Sequence, residues 1–375
     1  MRIGFNCRCL HAAYVTGVER YARNLLASLV EAAPDEEFVL LGCGDAAPLF
    51  AERTNVRRIG SCAWRSPAAR HLWEQLVLPR LARSSRVDVL VNPINTAPVT
   101  LDRNIVVVHD LSFLEHPEWF GRGFRCLYNV VVPRAARRAA AVVTVSEFSK
   151  SRIVGLLGVG ADKVHVAYPG ADPVFLEVET SEAARVAWRY GLDRPYLLFV
   201  GSLAPRKNLA AAAAAFERAR ASFSPEHDLA VAGVSSYQFR KARIPQGLRL
   251  LGYVADDDLP GLYCAAKALV YPSLYEGFGL PPLEAMACGT PVIASNAASL
   301  PEAVGDAAVL VDPTDPDALA EAIRKVLTDG ALAADLRERG LVRARSFSWD
   351  QAARRMLEVC CHVARSHRGN LAAER

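Results

Sequence analysis

The sequence YPSLYEGFGLPPLEAMACGT at residues 271–290 is the part of the chain that best indicates its fold. An apolar strand is expected to end inside it, over Ala268–Tyr271, and a helix is expected to begin near Pro281. Glycines in the intervening turn let backbone N–H groups approach a ligand, and the N-terminus of the following helix favours an anion. This order of strand, glycine turn and helix predicts a binding site at the turn.

Two glutamates, Glu276 and Glu284, flank the glycine turn. A carboxylate in this place is better suited to accept hydrogen bonds from sugar hydroxyls, such as a ribose diol, than to hold phosphate. We therefore predict a nucleotide-sugar pocket. The alternative is an ordinary strand-to-helix connection whose glutamates are solvated. Further donor contacts are expected from four consecutive residues, Gly277, Phe278, Gly279 and Leu280.

The composition sets the size and class of the protein. With 375 residues, of which 51% are hydrophobic, the chain is long enough for two domains. It contains no uninterrupted apolar run of about 18 residues, and the short apolar start MRIGFNCRCL reads as a first strand and not as a signal peptide. The nine cysteines lack CxxC pairs and metal-ligand spacing. We expect reduced thiols, a cytoplasmic protein and no metal or cofactor.

Short apolar runs alternate with helical patterns along the whole chain, which predicts an α/β fold with two open sheets. Strands are expected at 2–6, 37–41, 87–91, 105–109, 141–145 and 164–167, and then at 196–200, 228–232, 248–251, 268–271, 291–294 and 308–311. Several of these runs are continuously apolar, as parallel strands covered on both faces are. The predicted domains are residues 1–172 and 173–347, with the linker YPGADP at 168–173, followed by a last helix and a polar, frayed tail over 348–375.

Two cations mark a second candidate site. Arg206 and Lys207, in the segment GSLAPRKN at 201–208, follow the apolar strand Tyr196–Val200 and precede an alanine-rich helix. Cations in this place form a pocket for a diphosphate. They would stabilise the charge that grows on a departing nucleoside diphosphate. The alternative, a solvated helix start, conflicts with the unfavourable placing of cations at a helix N-terminus.

A histidine marks the third candidate site. His109 follows the apolar run at 105–108 and is followed by Asp110. A histidine at the carboxyl end of a strand faces the crevice in which α/β folds bind ligands. A neutral imidazole donates one hydrogen bond and accepts another, which suits a hydroxyl-rich ring. Asp110 either contributes to the site or caps the following turn.

The segment from residue 276 onward resembles the E-x7-E element of family-four retaining glycosyltransferases of the GT-B fold, and the likeness continues through CGTPVIAS (288–295), LPE (300–302) and AVLVD (308–312). The resemblance implies two Rossmann-like domains facing across a cleft, with a C-terminal helix crossing back to the first domain. It also implies that His109 contacts the donor sugar. Further donor contacts are implied for Gly17, Ser202, Tyr253 and Val254, although many members have arginine where this chain has Ser202.

The family resemblance also implies a reaction. A retaining transfer without an obvious catalytic base proceeds by front-face attack, with the departing phosphate taking the proton of the acceptor. Glu276 positions the sugar or stabilises developing positive charge. Arg206 and Lys207 neutralise the diphosphate in place of Mg²⁺, which leaves His109, Glu276, Arg206 and Lys207 as the predicted catalytic residues.

The stretches VHDLSFLEHPEWF (108–120) and GSLAPRKN look most like bacterial mannosyltransferases that use GDP-mannose to build polysaccharide or lipid-linked glycans. UDP-glucose, UDP-N-acetylhexosamine and dTDP-rhamnose stay open as donors. Two other readings are a sugar-nucleotide 2-epimerase of the same architecture and an inactive nucleotide-sugar binder.

The motif GCGDAA at 42–47 fits a dinucleotide fingerprint, but Pro48 and the charged run after it do not make a helix, so nicotinamide or flavin binding is rejected.

Positive charge is concentrated in the first half of the chain. Residues 53–138 contain 14 arginines against 6 acidic residues, in a chain whose net charge is +4. A basic face of this kind meets anions, so peripheral contact with the inner face of the cell membrane or with a pyrophosphate-linked acceptor is expected. The alternative is arginine used for surface solubility. Nucleic acid is not expected as a partner, because no binding motif accompanies the charge.

Overall fold

A computed structural model describes residues 1–10, 17–43, 50, 53–62, 66–176, 179–223, 226–234, 245 and 247–373. The chain divides into two units. The first unit contains residues 1–111, residues 126–169 and the helix that starts at Trp349, and the second contains residues 112–125 and 170–348. The second unit thus takes in residues 112–125, which the sequence pattern placed in the first domain.

Thirteen strands and fourteen helices are found in the described chain. The strands are β1 Arg2–Asn6, β2 Glu37–Leu41, β3 Val56–Ile59, β4 Val89–Asn92, β5 Asn104–Val107, β6 Ala141–Thr144, β7 Val164–Val166, β8 Tyr196–Val200, β9 Asp228–Ala232, β10 Arg249–Gly252, β11 Ala268–Tyr271, β12 Val292–Ser295 and β13 Val309–Val311. The helices are α1 Gly17–Ala32, α2 Pro67–Leu76, α3 Leu78–Ser84, α4 Ser112–Glu115, α5 Arg122–Arg138, α6 Glu147–Leu157, α7 Thr180–Arg189, α8 Leu209–Ala219, α9 Leu259–Ala265, α10 Leu280–Ala287, α11 Leu300–Val304, α12 Pro316–Thr328, α13 Gly330–Arg345 and α14 Trp349–Ala373.

Each unit is built on one parallel sheet. The first sheet has the order β3-β2-β1-β4-β5-β6-β7 and the second the order β10-β9-β8-β11-β12-β13. The order reverses between β1 and β4 in the first sheet and between β8 and β11 in the second. Ligands of open α/β sheets bind outside the carboxyl ends of the strands at such switch points.

The α/β prediction is confirmed, and burial explains why the apolar runs became strands. All five residues of β8 are buried, as expected for a parallel strand covered on both faces. In the second unit, Phe216 of α8 and Ile323 of α12 pack on β8, β9 and β11 in one core. In the first unit, Trp73 of α2 packs with the residues of β2 and β4.

The last helix completes the first unit. Helix α14 contacts α1, β4 and β6 and buries the side chains of Trp349, Met356 and Cys360. The ring of Tyr21 on α1 meets the ring of Trp349 edge-on, with 5.5 Å between the centroids. The helix continues to Ala373, so the frayed tail expected after Ser366 is not found in the described residues.

Several local predictions differ from the structure. Strand β5 ends at Val107, so His109 lies two residues beyond the strand and not at its end. Strand β3 was missed because its sequence VRRI carries two arginines. The sequence Thr16-x-x-Glu19 has the pattern of a capping box, but Thr16 lies outside the described residues, as does most of the rejected fingerprint at 42–47. Where the chain is described, no helix is both long and apolar enough to cross a bilayer.

Candidate functional site

The segments that follow β8 and β11 come together at the switch point of the second sheet. The backbone N–H of Leu274 donates to the carbonyl of Arg206 at 2.8 Å. The side chain of Asn208, at a φ of 57°, donates to the carbonyl of Pro272 at 3.2 Å. These bonds hold GSLAPRKN against the segment that leads to Glu276, so that the two motifs form one site.

Arg206, Lys207 and Glu276 form a buried ion cluster. The Nη1 of Arg206 donates to Oε2 of Glu276 at 2.8 Å, and the Nζ of Lys207 donates to Oε1 at 2.6 Å. The side chain of Glu276 is 8% exposed and that of Lys207 is 7% exposed. Burial raises the pKa of Glu276, but Arg206 and Lys207 outweigh it and lower the pKa to about 2. The carboxylate is therefore ionised at every working pH.

Tyr271, the last residue of β11, belongs to the same cluster. Its hydroxyl donates to Oε1 of Glu276 at 3.1 Å and accepts from the Nζ of Lys207. Burial, assisted by the negative charge of Glu276, raises the pKa of Tyr271 well above its ordinary value. The sequence contained a signal that was not used, because a tyrosine in a fully buried strand needs a partner for its hydroxyl.

The glycine turn is fixed by a serine from the next loop. The single proton of the Ser299 hydroxyl is shared between the carbonyl of Glu276, at 2.9 Å, and that of Phe278, at 3.0 Å. Gly279 has a φ of 116°, and a Cβ there would lie 2.7 Å from Leu300 Cδ2. Leu280 then begins α10, which no side chain caps within the described part of the chain. The turn is thus held in a shape that only glycine adopts without strain.

Glu284, the second acidic candidate, lies on α10 and is 3% exposed. Its Oε2 accepts a hydrogen bond from the hydroxyl of Tyr263 on α9 at 3.0 Å. Tyr263 was not singled out from the sequence. The phenol of Tyr263 therefore occupies one oxygen of the buried carboxylate.

Three further predicted residues lie at the carboxyl edge of the same sheet. Ser202 lies two residues after β8, and Tyr253 and Val254 follow β10. Gly233 after β9 approaches the loop after β8 so closely that a Cβ on it would lie 1.8 Å from the carbonyl oxygen of Gly201. Tyr253 is 39% exposed and Val254 is 8% exposed. Their backbone is therefore placed at the edge where a nucleotide base is expected.

His109 is held firmly in the first unit. Its Nε2 lies 2.9 Å from the carbonyl oxygen of Pro93, and its backbone N–H donates to Oδ1 of Asn95 at 2.8 Å. Burial lowers the pKa of His109, opposed by the bond to Pro93. A carbonyl only accepts, so Nε2 carries the proton and Nδ1 of the neutral ring is an acceptor. The ring of Tyr21 packs on it edge-on at 4.8 Å.

The remaining predicted residues have simpler surroundings. Gly17 is the first residue of α1 and is exposed, and a Cβ on it would meet no described atom within 4 Å. Ser146 caps α6 by accepting from the N–H of Ser149 at 3.0 Å, and the Ser149 hydroxyl donates to the carbonyl of His109 at 3.1 Å.

Residues 112–125 contribute to the second unit through a bond to the loop before Glu276. The hydroxyl of Tyr275 donates to Oε2 of Glu115 at 2.8 Å. The ring of His116 stacks on Trp119, with 4.0 Å between the centroids, and meets the ring of Tyr275 edge-on at 5.8 Å. The HPE sequence at 116–118 is thus attached to the segment that carries Glu276.

Two family models match the chain in succession. Residues 15–175 match the model described as Glycosyltransferase Family 4, and residues 181–343 match the model described as Glycosyl transferases group 1. O-antigen chain mannosyltransferase B from Escherichia coli is 32% identical over 355 residues, which cover 90% of this chain and 93% of that protein. Serotype-specific mannosyltransferase WbdA from the same organism is 29% identical over 68% of this chain and 33% of its own length.

Solved structures show the same architecture. Sucrose-phosphate synthase from Thermosynechococcus elongatus matches with a TM-score of 0.72 over 100% of both chains at 21% identity. WaaG, a glycosyltransferase involved in lipopolysaccharide biosynthesis, matches with a TM-score of 0.70 over 96% of this chain and 99% of its own at 17% identity. The two sheets, the ion cluster at the second switch point and the paired family matches lead to one conclusion: the chain belongs to the glycosyltransferases of the GT-B fold, with a family 4 domain followed by a group 1 domain.

Proposed function

We propose that this glycosyltransferase transfers mannose, with retention of configuration, from GDP-mannose to a glycan or lipid-linked acceptor in the synthesis of a cell-surface polysaccharide. The observation that carries the proposal is the cluster of Arg206, Lys207 and Glu276 at the switch point of the second sheet. The choice of mannose is supported by the similarity to O-antigen chain mannosyltransferase B over nearly the whole chain.

The two cations bind the diphosphate of the donor. Arg206 offers a planar guanidinium and Lys207 a compact ammonium, both held in place before the donor arrives. As the bond to the sugar breaks, negative charge grows on the β-phosphate and the fixed cations stabilise it. One such donor is worth about 3 kcal/mol in the transition state, which corresponds to at least a 100-fold change in rate.

Glu276 serves the sugar side of the same step. Its carboxylate is ionised, so it stabilises the positive charge that develops on the sugar ring. The Nδ1 of His109 accepts a hydrogen bond from a donor-sugar hydroxyl, since its Nε2 is engaged by Pro93. The departing phosphate takes the proton of the acceptor, because no other base is required for front-face attack.

The nucleotide is held by the second unit. Glu284 accepts hydrogen bonds from the ribose, the backbone of Tyr253 and Val254 meets the base, and the turn at 277–279 with Leu280 meets the phosphates. Gly17 in the first unit supplies backbone N–H groups to the diphosphate. Ser202, in a place where an arginine is common, contributes a hydroxyl in place of a charge.

A nucleotide screen tests the proposal. The protein is heated with GDP, UDP, dTDP or ADP, and the expected result is the largest rise in Tm with GDP, since a ligand at 100 times its Kd stabilises by about 2.7 kcal/mol. Transfer from labelled GDP-mannose to an α-mannoside, with the anomeric configuration read by NMR, tests sugar and stereochemistry. Preference for UDP or dTDP supports the alternative donors, and conversion of UDP-GlcNAc to its 2-epimer supports the epimerase.

The proposal includes peripheral contact with an anionic membrane through the first unit. Leu72 and Leu76 on α2 and Val130 on α5 are each about half exposed, at 51%, 48% and 47%. Exposed arginines occur on α3 and α5, namely Arg80, Arg83, Arg134, Arg137 and Arg138. Apolar side chains among cations favour the interface of an anionic bilayer. Co-sedimentation with phosphatidylglycerol vesicles, lost in Leu72→Ser/Leu76→Ser and absent with phosphatidylcholine, is the expected result.

A further inference from the structure

The carboxylate of Glu284 is held by a tyrosine from the neighbouring helix. Glu284 lies on α10, whose sequence LPPLEAMA carries no other charged residue, and it is 3% exposed. The hydroxyl of Tyr263 on α9 donates to its Oε2 at 3.0 Å. A buried carboxylate is costly unless it is hydrogen-bonded, so this bond restricts where the carboxylate can lie.

From this contact we propose that Tyr263 is a positioning residue for the donor, which orients the Glu284 carboxylate and thereby makes the site prefer a ribose with both of its hydroxyls over a deoxyribose. Tyr263 acts through Glu284 and not by contact with the nucleotide. The inference rests on the proposed function, in which Glu284 binds the ribose, and it adds the residue that makes this contact selective.

One hydrogen bond is enough to orient the carboxylate. The terminal torsion of a glutamate is broad and roughly twofold, so the rotamer alone leaves the plane of the two oxygens free to turn. A bond to Oε2 restricts this torsion and therefore also fixes the direction of Oε1. A diol needs both oxygens in a defined plane, and a site that is ordered before the ligand arrives avoids the entropy cost of ordering it.

A phenol suits this task better than a cation. Glu276 is paired with Arg206 and Lys207, and these two cations neutralise it. The hydroxyl of Tyr263 is uncharged, so it orients Glu284 without neutralising it. A carboxylate offers about four lone-pair positions, of which the phenol takes one. The charge of Glu284 thus strengthens its hydrogen bonds from sugar hydroxyls.

Tyr263 is itself fixed from several sides. Its side chain is fully buried, and the ring of Phe175 meets its ring edge-on, with 5.8 Å between the centroids. The carbonyl of Tyr263 accepts from the hydroxyl of Thr290 at 2.7 Å, and the N–H of Thr290 donates to the carbonyl of Ala285 on α10 at 2.8 Å. Helices α9 and α10 are therefore joined at both the backbone and the side chain of Tyr263.

Helix α9 also connects the two expected contacts to the nucleoside. Tyr253 and Val254, whose backbone is proposed to meet the base, lie a few residues before α9 begins at Leu259. Tyr263 on the same helix then holds the residue proposed to bind the ribose. The base and the ribose are therefore recognised by groups that α9 holds in one arrangement.

Calorimetric titration of the full-length protein with GDP and with 2′,3′-dideoxy-GDP tests the proposal. The wild type should bind GDP at least about tenfold more tightly, because the dideoxy analogue cannot donate to a charged group. In Tyr263→Phe the Kd for GDP should rise about fivefold, the effect of leaving one flexible side chain to be ordered on binding. The Kd for the dideoxy analogue should stay within about twofold.

Kinetics give a second readout that a loss of stability alone does not produce. The ribose is remote from the reacting carbon, so its contact contributes equally to the ground state and the transition state. In Tyr263→Phe the KM for GDP-mannose should therefore rise about fivefold, while kcat stays within about twofold. In a Glu284→Ala background, Tyr263→Phe should not change the ratio of the two Kd values further.

The matched control is Tyr196→Phe. Tyr196 on β8 is 2% exposed, and its hydroxyl donates to the carbonyl of Leu262 on α9 at 2.7 Å. This variant also removes a buried hydroxyl that holds α9, but the hydroxyl does not bind Glu284, so neither Kd should change. Measuring Tm for both variants shows whether their losses of stability are alike.

Two results would overturn the positioning role. One is an equal loss of affinity for GDP and the dideoxy analogue in Tyr263→Phe, and the other is the same loss of GDP affinity in Tyr196→Phe. Either would show that the hydroxyl only stabilises α9. Failure of the wild type to bind any nucleoside diphosphate would instead overturn the proposed function.

Discussion

Replacing Glu276 by glutamine should tighten the binding of nucleoside diphosphate while abolishing most of the turnover. In the structure the carboxylate occupies both cations at 2.8 Å and 2.6 Å, so a diphosphate must compete with it for Arg206 and Lys207. Glutamine keeps the shape and removes the charge. The carboxylate's role on the sugar side is lost at the same time.

The magnitude follows from the ion cluster. The fall in the pKa of Glu276 from its ordinary 4.5 to about 2 corresponds to a preference of the folded protein for the ionised form on the order of 3 kcal/mol. Two unit charges about 4 Å apart near a protein surface interact by about 4 kcal/mol. The same magnitude applies to the repulsion between the Glu276 carboxylate and a bound diphosphate. If glutamine relieves a third of this repulsion, GDP should bind about tenfold more tightly. The unliganded variant should be less stable, because two buried cations lose their counter-ion.

Calorimetric titration with GDP, together with thermal unfolding and single-turnover transfer, measures the three effects. The expected pattern in Glu276→Gln is a lower Tm without ligand, a Kd for GDP at least about tenfold lower, and a turnover at least about 100-fold lower. Glu321→Gln is the control, since Glu321 pairs with Arg324 on the exposed surface of α12 and should change none of them. A Kd for GDP that is unchanged or higher would refute the competition between carboxylate and diphosphate.

Four further outcomes are expected. Lys207→Ala should cut turnover at least about 100-fold while keeping the fold, and near-normal rates would remove its role. Tyr271→Phe deletes one buried hydroxyl and should cost about 1 kcal/mol of stability, measured by urea unfolding, and reduce turnover roughly tenfold. A stability and a rate equal to those of the wild type would contradict the place of Tyr271 in the cluster. The pKa of Glu276 is lowered in the folded state, so its ionised carboxylate stabilises the fold fully above about pH 4.5, and this stabilisation is lost as the pH falls towards 2. Between pH 5 and 3 the wild type should therefore lose more stability than Glu276→Gln, as measured by urea titrations at each pH. Gly279→Ala forces an alanine to a φ of 116° against Leu300 and should lower stability by roughly 1–3 kcal/mol; unchanged unfolding would show that the turn relaxes freely.

The fold could be predicted from the sequence because its strands are buried on both faces. Continuous apolar runs such as Tyr196–Val200 have no other stable place in a protein of this size. The edge strand β3 lacks this signal. β3, paired on one side only, tolerates two arginines and was therefore missed.

The site was predictable where a motif carries charge. Arg206, Lys207 and Glu276 were named from the sequence, and the structure brings these three side chains into contact. Their mutual pairing was not predicted, because ion pairs between residues 70 positions apart depend on which strands are neighbours. Tyr271 was missed for the same reason, since its hydroxyl meets Lys207 only when β8 and β11 lie side by side.

The assembly of the first unit from three separate stretches of chain has a consequence for synthesis on the ribosome. Helix α14, which covers α1 and buries Trp349 and Met356, is translated after the second unit. The first unit is therefore begun before the second unit and completed after it. Until α14 leaves the ribosome, the apolar face of α1 lacks its cover and is a natural target for chaperones, and a fragment ending near residue 172 should aggregate unless α14 is supplied in trans.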